Sequence, residues 1–229
     1  MLDGPLYAKL NIAALIALDD IQHGFRQVPL DAFVHDRSRF KDIVRFLIRG
    51  RNVVKTPHGD LFHPINSHAY GGCASRTYPE VPASDIAPLT ALVEIFVRTA
   101  GIDAGREILL QRQRVIADDD RTSPTVREGP HQDGVQKLAI LCVNRANIDG
   151  GMSLIYNDRL HPIFTGVLQP GDILFIDDAQ LWHDATAIRR VDPGRPGHRD
   201  VILLTWPACR EHENLSTIDY SDAPRFKAA

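Results

Sequence analysis

Cysteine is scarce in this chain of 229 residues, and that scarcity is the first constraint. Only Cys73, Cys142 and Cys209 are present, widely spaced, with no CxxC pair. A disulfide framework and a thiolate zinc site are thereby excluded, and a reduced, cytoplasmic setting is expected. Charge of one sign is lacking too. Against 26 lysines and arginines stand 29 acidic residues, giving a formal net charge of −3 and an isoelectric point near 6.3. That balance offers no global attraction to nucleic acid or an anionic membrane, so neither is expected as a partner. No long hydrophobic run occurs either. The apolar stretch Ile12 to Leu18 follows Asp3 and Lys9 and runs into Asp19-Asp20. A secretory signal needs a basic start and a cleavage site, and a membrane span about twenty apolar residues. The stretch therefore reads as the face of a buried helix. Repeats, low-complexity tracts and linkers long enough to separate domains are missing as well.

What is present suits a single domain over 1–229, since a hydrophobic share of 44% supports a sizeable core. Residues 1–104 read as helices and a hairpin packed on a core formed by 105–229. Phe40, Ile43, Val44 and Leu47 recur at helical spacing, with Arg37, Lys41, Arg45 and Arg49 four apart as a solvated basic face. Asn52 to Thr56 and Leu61 to Ile65 read as a hairpin around Pro57-His58-Gly59-Asp60. Ser84 or Asp85 is placed to cap a helix bearing Leu89, Leu92, Val93, Phe96 and Val97, and Gly101 to close it. Beyond Gly101 the rhythm becomes short strands: 108–117, 136–143, 152–156, 163–168, 173–176, 182–188 and 201–206. Asp149-Gly150-Gly151, Pro170-Gly171-Asp172 and Pro193-Gly194 break them. The expected fold is mostly β with flanking helices, a double-stranded β-helix (jelly roll) braced by N-terminal helices.

A mononuclear Fe(II) site takes two neutral imidazoles and one carboxylate on one face of the ion, leaving the other face open. His-x-Asp supplies two of these, because residues two apart on a strand point the same way. The triplet alone is weak, since chance produces it among 10 histidines and 29 acidic residues. Three copies occur here: His58-Gly59-Asp60, His131-Gln132-Asp133 and His198-Arg199-Asp200. Chain order separates them. The third ligand must come from a later strand of the same barrel, with a further strand after it. His198 lies too near the end, and His58 sits in the expected hairpin turn before the strands begin. His131 and Asp133 stand at the entrance of the strand-rich half, with His183 following the turn at Pro170-Gly171 and its strand. These three are the candidate metal ligands and catalytic residues.

Glu128-Gly129-Pro130-His131-Gln132-Asp133-Gly134, Gly150-Gly151-Met152-Ser153-Leu154, His183 and Gly197-His198-Arg199-Asp200-Val201 resemble bacterial 2-oxoglutarate/Fe(II) dioxygenases related to isoleucine 4-hydroxylase and the BsmA-like proteins. The resemblance is best over 105–207. It implies a jelly roll, Fe(II), 2-oxoglutarate as co-substrate with O2, and hydroxylation of a small, often aliphatic, free amino acid with release of succinate and CO2. The far carboxylate of 2-oxoglutarate suits a planar guanidinium able to give two parallel bonds, and Arg199 on the last strand is the choice. Arg189, Arg190 and Arg195 compete, but flank a Pro/Gly-rich loop. Related halogenases lack the metal-binding carboxylate, so retention of Asp133 favours hydroxylation.

Other residues read as structural. Cys142 is expected to be core, and Trp182 and Trp206 to pack. Asp118 to Ser123 reads as a solvated loop. Arg76, Tyr78 and Arg127 are unranked candidates for substrate contact. Rival functions are a cupin-like metalloenzyme without 2-oxoglutarate, a jelly roll that binds or regulates without chemistry, and nucleic-acid repair. Cupins bring several histidines and a glutamate, which His131-Gln132-Asp133 does not match. Loss of chemistry would be expected to strike the triad and Arg199 first.

Overall fold

The computed structural model describes residues 5–63, 74–118, 122–126 and 129–210. The strands are β1 (Tyr7–Asn11), β2 (Arg39–Arg49), β3 (Asn52–Lys55), β4 (Leu61–His63), β5 (Ala74–Arg76), β6 (Glu107–Ala117), β7 (Lys137–Ala146), β8 (Ile148–Gly150), β9 (Met152–Tyr156), β10 (Pro162–Val167), β11 (Asp172–Asp177), β12 (Trp182–Ala185), β13 (Ile188–Arg190) and β14 (Gly197–Trp206). Helix α1 (Leu18–Gly24) precedes β2, and α2 (Ile86–Ala100) precedes β6. A seven-stranded sheet runs β1-β11-β7-β14-β6-β2-β3. Facing it are the three-stranded sheet β10-β9-β12 and the pair β13-β8, so the expected jelly roll with helices on one side is the fold found. No described helix is long and apolar enough to cross a membrane.

Alternation along the large sheet builds two separate cores, because successive strand side chains point to opposite faces. On the outer face Val44, Phe46, Ile108, Leu110, Ile202 and Leu204 meet Leu89, Leu92, Val93 and Phe96 of α2. On the inner face Ile43, Leu109, Leu138, Cys142 and Leu174 pack towards Ile155 of the small sheet. Each such large apolar side chain contributes about 1.5–3 kcal/mol by leaving water.

The N-terminal expectation needs correction. Residues 39–49 form strand β2, not a helix, and pair with β6 from Arg39↔Val115 to Leu47↔Glu107. Both faces of this strand are buried, so its apolar residues do not alternate and mimic a helical stripe. The basic residues four apart misled for a related reason: positions i and i+4 share a face in a strand as well. Lys41 and Arg45 are accordingly buried inside rather than solvated. Arg45 donates to the carbonyls of Ala208, Gly59 and Asp60, at 3.1, 2.7 and 2.5 Å. With β2 a strand, the hairpin is β2–β3 across Gly50, while β4 pairs with β5 instead of β3. Residues 64 and 65 of the expected hairpin lie outside the described residues. Thus β1, β2 and β3 belong to the same sheet as the strands after residue 105, and 1–104 is not a layer of helices and hairpin outside it.

Helix α2 starts and stops where expected, with Gly101 left-handed at φ 64°. Neither Ser84 nor Asp85 caps it by a side-chain bond. Asp85 instead accepts from Arg112 at 2.6 Å, and Arg112 also grips Asp42 bidentately at 2.9 and 2.6 Å. This buried network ties the helix start to the sheet, and a Cβ at Gly24 would meet Arg112 at 2.7 Å. Between residues 12 and 18 only Ile12 is buried, a short 3-10 turn covers Ala13–Leu15, and Leu15 is exposed. The expected strand 182–188 splits, because at Thr186 the chain leaves β9 and passes to β8.

Candidate active site

His131 and His183 are direct cross-strand neighbours. The two backbones exchange hydrogen bonds of 3.0 and 2.9 Å, and the rings lie 4.2 Å apart. Asp133 turns back to the same point, its carboxylate oxygens 3.4 Å from His131 Nε2 and 3.8 Å from His183 Nε2. One donor atom from each residue lies within 4.8 Å of the other two, so the trio could hold a metal ion. Burial would raise the Asp133 carboxyl. The His131 hydrogen bond and the charges of His183, His131 and Lys41 outweigh it and hold the group well below the usual carboxylate range.

The imidazole tautomers follow from their outer partners. His131 Nδ1 lies 2.8 Å from the carbonyl of Gly129, which can only accept, so Nδ1 carries a proton and Nε2 is the atom aimed at Asp133. His183 Nδ1 faces Asp178 Oδ1 at 3.1 Å, and neither atom has another partner among the described residues. Asp178 is fully buried, which pushes its carboxyl up against the opposing pull of His183. Its Oδ2 accepts from the Asp133 N–H at 2.9 Å, and its carbonyl accepts from the Gln132 side chain at 2.7 Å. One carboxylate thus faces the ring of His183 and fixes the loop that presents Asp133. Such outer groups set ligand orientation and basicity.

The trio lines a cavity of about 150 Å³ between the two sheets, whose inner-face wall includes Arg199, Val201, Gln113, Lys41 and Ile140. Arg199 is buried and makes no hydrogen bond or ion pair among the described residues. Burial, the largest influence, lowers it to about 10, with Arg145 adding to the effect. A bulge between Asp200 and Val201 shifts the β7–β14 register. It sets Arg145 opposite Arg199 on the inner face. Arg145 donates to Gly150 O at 2.7 Å but leaves Nη1 buried and unbonded. Ser153 Oγ, across the cavity on β9, is a third buried polar group without a partner. At Gly151, φ 65°, a Cβ would crowd both Arg145 and Arg199 at 3.0 Å. The unpaired guanidinium of Arg199, the open Nη1 of Arg145 and a hydroxyl suit an anion, because unpaired buried polar groups are costly unless a ligand uses them. The donor set fits 2-oxoglutarate, and two imidazoles with a carboxylate fit Fe(II).

The rejected triplets are otherwise engaged. His58 bonds the Tyr78 carbonyl at 2.8 Å and Asp60 accepts from Thr77 at 2.7 Å. His198 contacts Asn144, and Asp200 pairs with Arg114 at 2.7 and 2.8 Å, not with Arg199. Of the competing arginines, Arg189 pairs with Asp149, Arg195 with Asp192, and Arg190 bonds the Asp118 carbonyl. Cys142 is buried core as expected, its thiol pushed up to about 11 by burial. Arg76 and Tyr78 are buried away from the cavity lining, and Arg127 lies outside the described residues. Residues 119–121 of the polar loop also lie outside them, while Ser123 pairs with Ile188. Sequence reasoning missed Asp178, Ser153 and Lys41. Ser153 stood inside a motif already singled out, but the other two carry no local signal.

The sequence model of the 2OG-Fe dioxygenase family matches residues 22–205. Among solved structures, a BsmA homolog from Methylobium petroleophilum is similar at 23% identity and a TM-score of 0.72, over 87% of each chain. IDO from Bacillus thuringiensis is similar at 16% identity and 0.67, over 88% of this chain and 89% of that one. TqaL, an Fe(II)/α-ketoglutarate-dependent dioxygenase, is similar at 13% identity and 0.62, over 87% and 81%. No curated protein matches in sequence. These likenesses agree on the jelly roll, and the family match sets aside the cupin-like and non-catalytic readings. With a donor set suited to iron beside an unsatisfied anion subsite, and a family match over most of its length, the chain belongs to the 2OG-Fe dioxygenase family and is a 2-oxoglutarate-dependent Fe(II) dioxygenase.

Proposed function

We propose that His131, Asp133 and His183 hold Fe(II), that Arg199 holds the far carboxylate of 2-oxoglutarate, and that the enzyme hydroxylates a small, aliphatic, free amino acid. The observation that carries this is the convergence of three ligand atoms within 4.8 Å on the wall of a cavity whose buried Arg199 lacks a partner. Bound there, iron and 2-oxoglutarate supply the oxidising chemistry: a substrate C–H, O2 and 2-oxoglutarate give the alcohol, succinate and CO2. The protein's own residues set the stage. Gly129 O and Asp178 hold both imidazoles with Nε2 towards the ligand cluster, and Asp133 contributes a carboxylate kept ionised by its neighbours. Ser153 is placed to add a hydrogen bond to the anion at Arg199. Leu61, Phe62 and Val126 give the cavity an apolar wall suited to an aliphatic side chain. The motifs shared with isoleucine 4-hydroxylase relatives support the amino-acid substrate.

Anaerobic addition of Fe(II) and 2-oxoglutarate should develop the weak visible charge-transfer band of the chelated metal, and His131→Ala should abolish it. A band that never forms, or that survives in the variant, overturns the ligand assignment. Succinate release across a panel of free amino acids then tests the substrate. A panel in which no member raises it overturns the amino-acid reading.

A further inference from the structure

One more cation lines the cavity with no hydrogen bond or ion pair among the described residues. Lys41 is 4% exposed, on the inner face of β2, with Nζ 4.4 Å above the Tyr78 ring. Among the described residues it makes no hydrogen bond or ion pair. The nearby carboxylates are committed: Asp31 accepts from Arg39 at 2.7 Å and from the Phe33 N–H at 2.9 Å, and Asp133 faces the two histidines. Directly opposite Lys41 in the β2–β6 register is Gln113, buried, lining the same cavity, its amide also without a partner among the described residues. Burial above all, then Arg39, lowers the Lys41 ammonium to about 7. An ammonium and an amide side by side on the cavity wall, with no hydrogen-bond partner among the described residues, form a polar subsite open to a ligand.

This subsite is distinct from the one at Arg199. Val115 faces both Arg39 and Arg199 across the sheet, so Lys41 stands two strands over and two residues along from Arg199. At about 4.8 Å between strands and 3.3 Å per residue, the two Cα atoms are roughly 12 Å apart. Two acid groups, one on the co-substrate and one on the substrate, can therefore each find a cation on this wall. We infer that Lys41 and Gln113 form a carboxylate subsite that holds the substrate by its acid end, so that the substrate is a small carboxylic acid taken as the free acid and not as its amide. A single ammonium balances one negative charge, which suits a carboxylate and would leave a phosphate dianion half compensated. Gln113 supplies a donor for the second carboxylate oxygen. The inference rests on this cavity being the hydroxylase site.

The test uses the enzyme loaded anaerobically with Fe(II) and 2-oxoglutarate. L-Valine, L-leucine and L-isoleucine, their primary amides, and butyrate and hexanoate are titrated by calorimetry while the charge-transfer band is followed. Acids should bind roughly 10- to 100-fold more tightly than amides, the range of one charge-assisted hydrogen-bonded contact. Lys41→Met should erase that preference and leave 2-oxoglutarate affinity and the band unchanged, while Lys41→Arg keeps some of it. Equal binding of acids and amides to the unaltered enzyme overturns the proposal without needing a variant. So does a set in which no acid binds, a preference that survives Lys41→Met, or a variant whose loss falls on 2-oxoglutarate instead. Failure of the hydroxylase reading is read separately, as a band that never forms in the unaltered enzyme.

Discussion

Arg112 on the outer face of the large sheet and the cations that line the cavity on its inner face are treated in opposite ways. On the outer face Arg112 is fully engaged by Asp42 and Asp85 beneath α2. On the inner face Arg199 and Ser153 Oγ sit in the cavity with no partner among the described residues, and Lys41 has neither hydrogen bond nor ion pair among them. The same strands carry both arrangements, one residue apart in register. A structural charge must be satisfied by the fold itself, whereas a binding charge must stay unsatisfied until its ligand arrives. An unpaired cation such as Arg199 therefore costs stability and the paired Arg112 does not, which gives the contrast measurable consequences.

The largest effect is expected at Arg112. Arg112→Met strands Asp42 and Asp85 under the helix and should lower stability by about 3–5 kcal/mol in urea unfolding. Burial already pushes the Asp42 carboxyl up, and loss of Arg112 would push it further. An acid whose folded-state value is raised stabilises the fold as pH falls, so the loss should shrink below neutral pH. Replacing Asp42 by Leu in the same chain should recover much of it. A variant as stable as the parent would erase the distinction between the faces.

Arg199→Ala should behave in the opposite way. The 2-oxoglutarate requirement should rise by about 10- to 100-fold or more, the loss of a charge-assisted bidentate contact, with Fe(II) affinity unchanged. The unfolding midpoint of the ligand-free protein should not fall, since an unpaired buried cation has been removed. Equal loss of metal and co-substrate binding would show that Arg199 acts elsewhere. Asp178→Asn tests the support behind the ligands. It should weaken Fe(II) binding by about 10- to 100-fold, because His183 loses its charged partner and the Asp133 loop one of its ties. Ser153→Ala is the smallest, a rise of a few-fold in the 2-oxoglutarate requirement, worth about 1 kcal/mol, with metal binding intact.

Legibility from sequence followed the same division. Strand β9 matched its expected limits and β6, β10 and β11 fell within a residue at each end, because turn residues bracket them, whereas β7 runs three residues further and β14 starts four residues earlier than expected. Strand β2 was misread because it is buried on both faces, which removes the alternation that identifies a strand. Chain order selected His131, Asp133 and His183 from among three triplets, and the structure brings those residues together. Asp178 was invisible because its role depends on a turn that sets it beside residues some forty-five positions earlier. Lys41 was assigned to solvent because spacing by four does not say which side of a sheet is open.

By itself, then, the sequence determined the jelly-roll class, the limits of several later strands and which three residues to look for together, and it singled out Arg199 as a candidate. Each rests on local periodicity or on the order of motifs along the chain. Only the tertiary structure decided which charges are paired and which line the cavity unpaired. That depends on which face of a shared sheet each side chain takes and on partners distant in sequence, neither of which local spacing encodes.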